Sequence, residues 1–133
     1  NNGGKDSIIL SKNNAEYGLR INSQGYLDGT SANIWLIDSS FNFYAPANAN
    51  QWYHVAYTFD SIAHTDTLYR NGALVASGTN TGTISNTSNP LWIGRQSQWN
   101  FGTFLGKIDN VRIYGRALNQ LEIHNDMQTP ITP

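Results

Sequence analysis

An all-β sandwich or barrel is the fold class this sequence predicts, and three observations predict it. Turn signals return about every ten residues along the 133-residue chain, from Gly3-Gly4 through Asn13-Asn14, Gln24-Gly25, Asp28-Gly29 and Ser39-Ser40 to Asn71-Gly72, Thr81-Gly82, Asn89-Pro90 and Gly102. The runs between them, such as "SIIL", "YGLRI", "NIWLID", "LWIGR" and "DNVRIY", are short and rich in β-branched and aromatic residues. Only one segment, near the C-terminus, carries helix signals.

Each element has its own chemistry. In "TLYRNGALVAS", Asn71 and Gly72 can both take the positive φ of a two-residue type I′ turn, so the flanking runs form a hairpin. In "QWYHVAYTFD", residues 51–60, Tyr53, Val55, Tyr57 and Phe59 alternate with Trp52, His54, Ala56 and Thr58. Apolar bulk on both faces predicts a central strand. In "ALNQLEIHND", Asn119 can cap a helix, Glu122 stands where a capping box needs a carboxylate, and Leu118 and Ile123 can form a hydrophobic staple; about two turns are expected. Beyond it, "MQTPITP" has two prolines and no period. Residues 1–127 thus read as one sandwich and 128–133 as a linker or frayed tail. No internal repeat is present.

Composition narrows the function classes. Charged residues make up only 13% and aromatics 12%, so the surface is polar, uncharged and aromatic-bearing. The net charge is -1 and the eight Lys and Arg are spread from Lys5 to Arg116, which provides no basic stripe for nucleic acid. No apolar run is long enough to span a bilayer, and "NNGGKDS" has no secretory-signal character. With no cysteine, disulfides and thiolate chemistry are excluded.

Taken together, "WYHVAYTFD", "LYRNGALVASG", "PLWIGR" and "FLGKIDNVRIYGRALNQLEIHNDM" resemble, from about Ile8 to Met127, the laminin-G-like jelly roll of the concanavalin A-like superfamily. The form is that of large exported bacterial proteins, which implies an antiparallel β-sandwich and an extracellular or cell-surface setting. That fold hosts lectins, adhesion modules, glycosidases and lyases. Members of the family normally open with further strands before the segment that looks like "SIILSKNNAEYGLRINSQGYL". A chain lacking them would expose open edges or an apolar face, so a homodimer joined around Ser7 to Ile21 is expected.

The resemblance places His54 on a structural strand, and its neighbours on the same face include no acid. Related lyases use a Gln-x-His strand motif, which Gln51-Trp52-Tyr53-His54 misses by one residue and therefore by one sheet face. None of the nine acids has an acidic partner two residues away, as a jelly-roll glycosidase would require, and no Gly-x-Ser-x-Gly, phosphate loop or His-Glu-x-x-His occurs. The family's acid at Asp109 in "GKIDNV" often helps hold a structural calcium; the alternative is an ordinary hydrogen-bonded aspartate. Asp60, His64 and Asp66 in "DSIAHTD" could meet a metal, but read more simply as a polar loop.

Sugar recognition needs an aromatic face for the apolar side of a ring, with amides and hydroxyls for its oxygens. The loop "RQSQWNFG" offers Trp99 with Gln96, Gln98 and Asn100, and Trp35 and Tyr44 are further candidates. Trp99 could equally fold over the end of the sandwich. Trp52 and Trp92 read as packing residues. The expected function is a non-catalytic, lectin-like carbohydrate-binding or adhesion module that meets a glycan or a cell-surface partner. The rivals are a structural or assembly domain and a polysaccharide-cleaving enzyme.

Overall fold

The structure, a computed structural model, describes residues 4–13, 16–96 and 102–131. Among these residues, eight strands form two antiparallel sheets. They are β1 (Ser7–Lys12), β2 (Tyr17–Ile21), β3 (Leu27–Ser31), β4 (Ile34–Asp38), β5 (Val55–Asp60), β6 (Thr65–Arg70), β7 (Ala73–Thr79) and β8 (Leu91–Ile93). The first sheet has the order β4-β3-β2-β1-β8 and the second β5-β6-β7, giving the jelly-roll sandwich the sequence implies. β4 lies over β6 and β7, and β3 over β5.

The core between the sheets centres on Ile21, Leu27 and Leu68, with Leu19, Leu36, Val55 and Tyr57 packed around them. Polar groups in this space are paired. Asp66, 1% exposed, accepts from Asn80 Nδ2 at 2.8 Å, and the same nitrogen reaches Ser31 Oγ at 2.9 Å. Ser31 Oγ also shares a hydrogen bond with the Tyr57 hydroxyl at 2.8 Å, so one buried network ties β3 to β5 and β6. At one end of the sandwich, Asp38 is ion-paired with Arg70, whose guanidinium lies over Phe41 at 4.3 Å. Phe41, Phe43 and Tyr53 meet edge to face, with centroids 4.9–5.3 Å apart.

The Asn71-Gly72 hairpin forms as expected, with φ values of 51° and 77°. The helix α1 (Gln120–Gln128) has both halves of its capping box: Glu122 N donates to Asn119 Oδ1 at 3.0 Å, and Asn119 N donates to Glu122 Oε2 at 2.9 Å. At nine residues it is about two and a half turns, slightly longer than expected. Leu118 and Ile123 are buried against Tyr69 and Ala56, which fastens the helix to the outer side of the three-stranded sheet.

Several expectations are corrected. Asp28-Gly29 is not a turn but the middle of β3, because a glycine is needed where the Tyr57 ring crosses the strand: a Cβ on Gly29 would stand 2.2 Å from Tyr57 Cδ2. The true turn between β3 and β4 is Ala32-Asn33, at φ 51° and 65°. Among the described residues β5 is an edge strand of its sheet, not a central one. Its apolar character on both faces reflects two covered faces, core on one side and α1 on the other, and not two hydrogen-bonded neighbours. "DNVRIY" forms no strand; Val111 and Ile113 are exposed. The Ser7 to Ile21 region forms β1 and β2, which pair with each other, β2 also with β3 and the Leu10–Lys12 part of β1 also with β8.

Candidate functional site

Among the described residues, the outer face of the five-stranded sheet carries a row of side chains with an aromatic ring at each end. Residues paired across antiparallel strands project to the same side, and the register lines up Trp35, Thr30, Gly18, Ser11 and Trp92 in one row from β4 to β8. A tryptophan stands at each end and three small residues lie between, across about 19 Å at the usual strand spacing of about 4.8 Å. Gly18 keeps the middle low. A Cβ there would approach the backbone oxygen of Leu10 to 3.0 Å. Thr30 donates its hydroxyl to Ile34 O at 2.8 Å, whereas the Ser11 hydroxyl has no protein partner among the described residues. A shallow depression of about 50 Å³ lies over Ser11, Gly18 and Thr30, bounded by Trp35 and Gln96. It adjoins a larger cleft of about 270 Å³ lined by Asp6, Ser23, Gln96 and Gly102, the two sharing Ile8 and Gln96.

Arginines accompany both tryptophans. The Arg20 guanidinium lies 3.9 Å from the Trp35 ring centroid, and that of Arg95 lies 4.5 Å from the Trp92 ring. Arg20 is clamped in place, with Nη1 on Asp6 Oδ2 at 2.6 Å and Nε and Nη2 on Asp28 Oδ2 at 3.2 and 3.1 Å. Asp28 also accepts from Asn22 Nδ2 at 2.9 Å. Burial nevertheless raises its carboxyl above the ordinary 3.8, and the Arg20 charge opposes that rise. Trp35 remains 41% exposed. The Trp92 indole nitrogen is buried without a partner among the described residues.

The sequence candidates separate as follows. Trp35 and Gln96 join the site. Tyr44 does not: its ring packs against the core cluster, and its hydroxyl meets Ser7 Oγ at 3.1 Å and Lys5 O at 3.3 Å. Gln98, Trp99 and Asn100 lie outside the described residues. Trp92 stands half-buried on the row, and Trp52, expected to pack, is 65% exposed. No local pattern marks Arg20, Arg95, Ser11, Gly18 and Thr30, because strand order and register bring them together.

Catalytic and metal chemistry find less support in the geometry. His54 precedes β5, tied by its backbone to Asn71 at the hairpin tip. Its Nδ1 is buried without a hydrogen-bond partner among the described residues, and desolvation lowers its basicity below the ordinary 6.5, so it stays a neutral, packed imidazole. Asp6 and Asp28 do approach each other, but through Arg20, which occupies both carboxylates. Asp109 is exposed and accepts the amide of its neighbour Asn110 at 2.7 Å. Among the described residues no three His, Cys, Asp or Glu side chains gather to hold a metal. In "DSIAHTD", Asp60 accepts the amides of Ile62 and Ala63 at 2.9 Å each while Asp66 is buried in the core, which leaves a polar turn. No helix among the described residues is long and apolar enough to cross a membrane.

Known proteins share the fold. Among solved structures, one of a "putative carbohydrate binding protein" from Bacteroides ovatus superposes with a TM-score of 0.71 at 24% identity, covering 90% of this chain and 36% of that one. The heptameric SAP-like pentraxin of Limulus polyphemus superposes with a TM-score of 0.63 at 18% identity, over 90% of this chain and 62% of the pentraxin. An S-layer domain-containing protein of Clostridium thermocellum gives 0.52 at 24% identity, over 84% of this chain and 55% of that one. The chain thus spans less than two-thirds of each of these proteins, and at such identities the likeness is one of fold. A search among curated proteins finds no match. The laminin G model of one family, described as the Concanavalin A-like lectin/glucanases superfamily, matches residues 1–124. Two facing antiparallel sheets, a capped closing helix and a match along nearly the whole chain make this protein a member of the concanavalin A-like lectin/glucanase superfamily.

Proposed function

We propose that the protein is a non-catalytic, lectin-like glycan-binding module of an extracellular or cell-surface protein, and that the outer face of its five-stranded sheet holds the sugar. The observation that carries this reading is the row from Trp35 to Trp92. Trp35, 41% exposed, offers apolar ring surface beside Arg20, and the low floor and the Ser11 hydroxyl, without a protein partner among the described residues, leave room and a polar partner for a chain of sugar rings. Gln96 and Gly102, which flank the segment bearing Gln98, Trp99 and Asn100, line the adjoining cleft, so Trp99 belongs in the same mutational series. The carbohydrate-binding description of the Bacteroides ovatus neighbour supports the assignment. Affinity electrophoresis against a panel of polysaccharides tests it, with assays for reducing ends and unsaturated products alongside. Retarded migration without product formation is expected; product formation would make the domain an enzyme.

A second reading, an assembly domain, is favoured by the outer edge of β5, unpaired among the described residues, and by the exposed Leu105 and Ile113. Light scattering across a dilution series distinguishes the two, since an assembly domain would associate with no glycan present.

A further inference from the structure

The two arginines of the row differ in one respect that bears on which glycan is held. Arg20 is neutralised, with Asp6 and Asp28 on its three nitrogens. Arg95 is exposed and, among the described residues, has no carboxylate partner; its guanidinium carbon lies 4.5 Å from the centroid of the Trp92 ring. Stacking fixes the plane of a guanidinium while leaving its in-plane N–H edges open, the geometry that grips a carboxylate or sulfate with two parallel hydrogen bonds.

We propose that the glycan is acidic, and that Arg95 binds its carboxylate or sulfate beside the Trp92 end of the row. This inference rests on the glycan-binding reading above. An apolar sugar face would lie along the row toward Trp35, and an exocyclic anion at the Trp92 end would meet the one guanidinium on that face whose charge is not already spent. The two acids on the same face, Asp6 and Asp28, are both committed to Arg20 and so repel such a ligand less than free carboxylates would. Selectivity would then come from Arg95, and general affinity from the tryptophans.

The test is a titration of the intact protein with a polyuronate, a sulfated glucan and an unmodified glucan of similar length, at about 50 and 200 mM salt. The wild type is expected to prefer at least one anionic polymer over the neutral one by about tenfold, a difference of about 1.4 kcal/mol. The preferred polymer shows which anion is recognised, and its binding should weaken at the higher salt. In Arg95→Gln the anionic-to-neutral ratio should fall toward unity, with an unchanged circular dichroism spectrum. Preference for the neutral glucan, or an unchanged ratio in Arg95→Gln, overturns the acidic assignment while leaving glycan binding in place. Binding of none of the three at millimolar concentration would instead count against the glycan-binding reading itself and take this inference with it.

Discussion

Arg20 lies over the face of Trp35 with its guanidinium carbon 3.9 Å from the ring centroid, and two aspartates hold it there. The ring is thereby fixed on the sheet before any ligand arrives, and a ligand meeting a preset surface loses less conformational freedom on binding. Arg20→Gln should therefore both loosen Trp35 and strand Asp28, a 1% exposed carboxylate, with Asn22 as its remaining side-chain donor. A stability loss of about 1–3 kcal/mol is expected, read by urea unfolding at neutral pH. Because burial raises the Asp28 carboxyl, its charged form is disfavoured in the fold, so this site is most favourable below pH 3.8 and loses stability as pH rises through the raised value. The deficit of the variant should accordingly shrink on acidification, and Asn at position 28 should recover part of it. A deficit independent of pH would mean that Asp28 is not the group left stranded.

Gly29→Ala is expected to cost about 1–3 kcal/mol, because its new methyl would meet the Tyr57 ring in the core. The ring cannot simply swing aside, since its hydroxyl is bonded to Ser31. Thermal unfolding of Gly29→Ala against wild type reads the effect. An unchanged melting temperature would show that β3 and β5 can part without cost.

The capping box makes α1 acid-sensitive. Arg116, and after it the Asn119 amide, holds the Glu122 carboxyl at about 2, well below its ordinary 4.5. A carboxyl lowered in the fold stabilises above its unfolded value and ceases to do so as pH falls through the folded one. The helix should therefore fray between about pH 4.5 and pH 2, seen in the exchange rates of its backbone amides. Glu122→Gln should flatten that dependence.

Calcium offers a further check. Asp109 belongs to no group of three or more His, Cys, Asp or Glu side chains among the described residues and accepts the Asn110 amide, so the melting temperature is expected to be indifferent to millimolar calcium and to chelator. A rise with calcium that vanishes in Asp109→Ala would show that backbone carbonyls complete a site there.

The sequence was most informative where a residue acts on its own neighbourhood. Asn71-Gly72 and Asn119 with Glu122 announce a hairpin and a helix start because their chemistry is complete within four residues. It misled where a distant partner decides. Gly29 looks like a turn until the Tyr57 ring is placed over it, and β5 looks central until α1 is seen to cover its second face. The same limit applies to the site. Trp35 and Gln96 could be picked out as aromatic and amide, but the row joining Trp35 to Trp92 runs through residues 11, 18, 30, 35 and 92 and exists only once strand order is known.

The claim that the outer face of the five-stranded sheet binds glycan is tested most directly by calorimetric titration of three proteins with whichever polysaccharide the panel selects: wild type, Trp35→Ala and Trp52→Ala. Trp35 is on the row, whereas Trp52, 65% exposed, precedes β5 in the other sheet and serves as a surface control. With circular dichroism unchanged in both variants, Trp35→Ala should bind about tenfold more weakly, the loss of about 1.4 kcal/mol that a stacked aromatic contributes, while Trp52→Ala binds as wild type. Wild-type affinity in Trp35→Ala, or a loss confined to Trp52→Ala, would contradict the account.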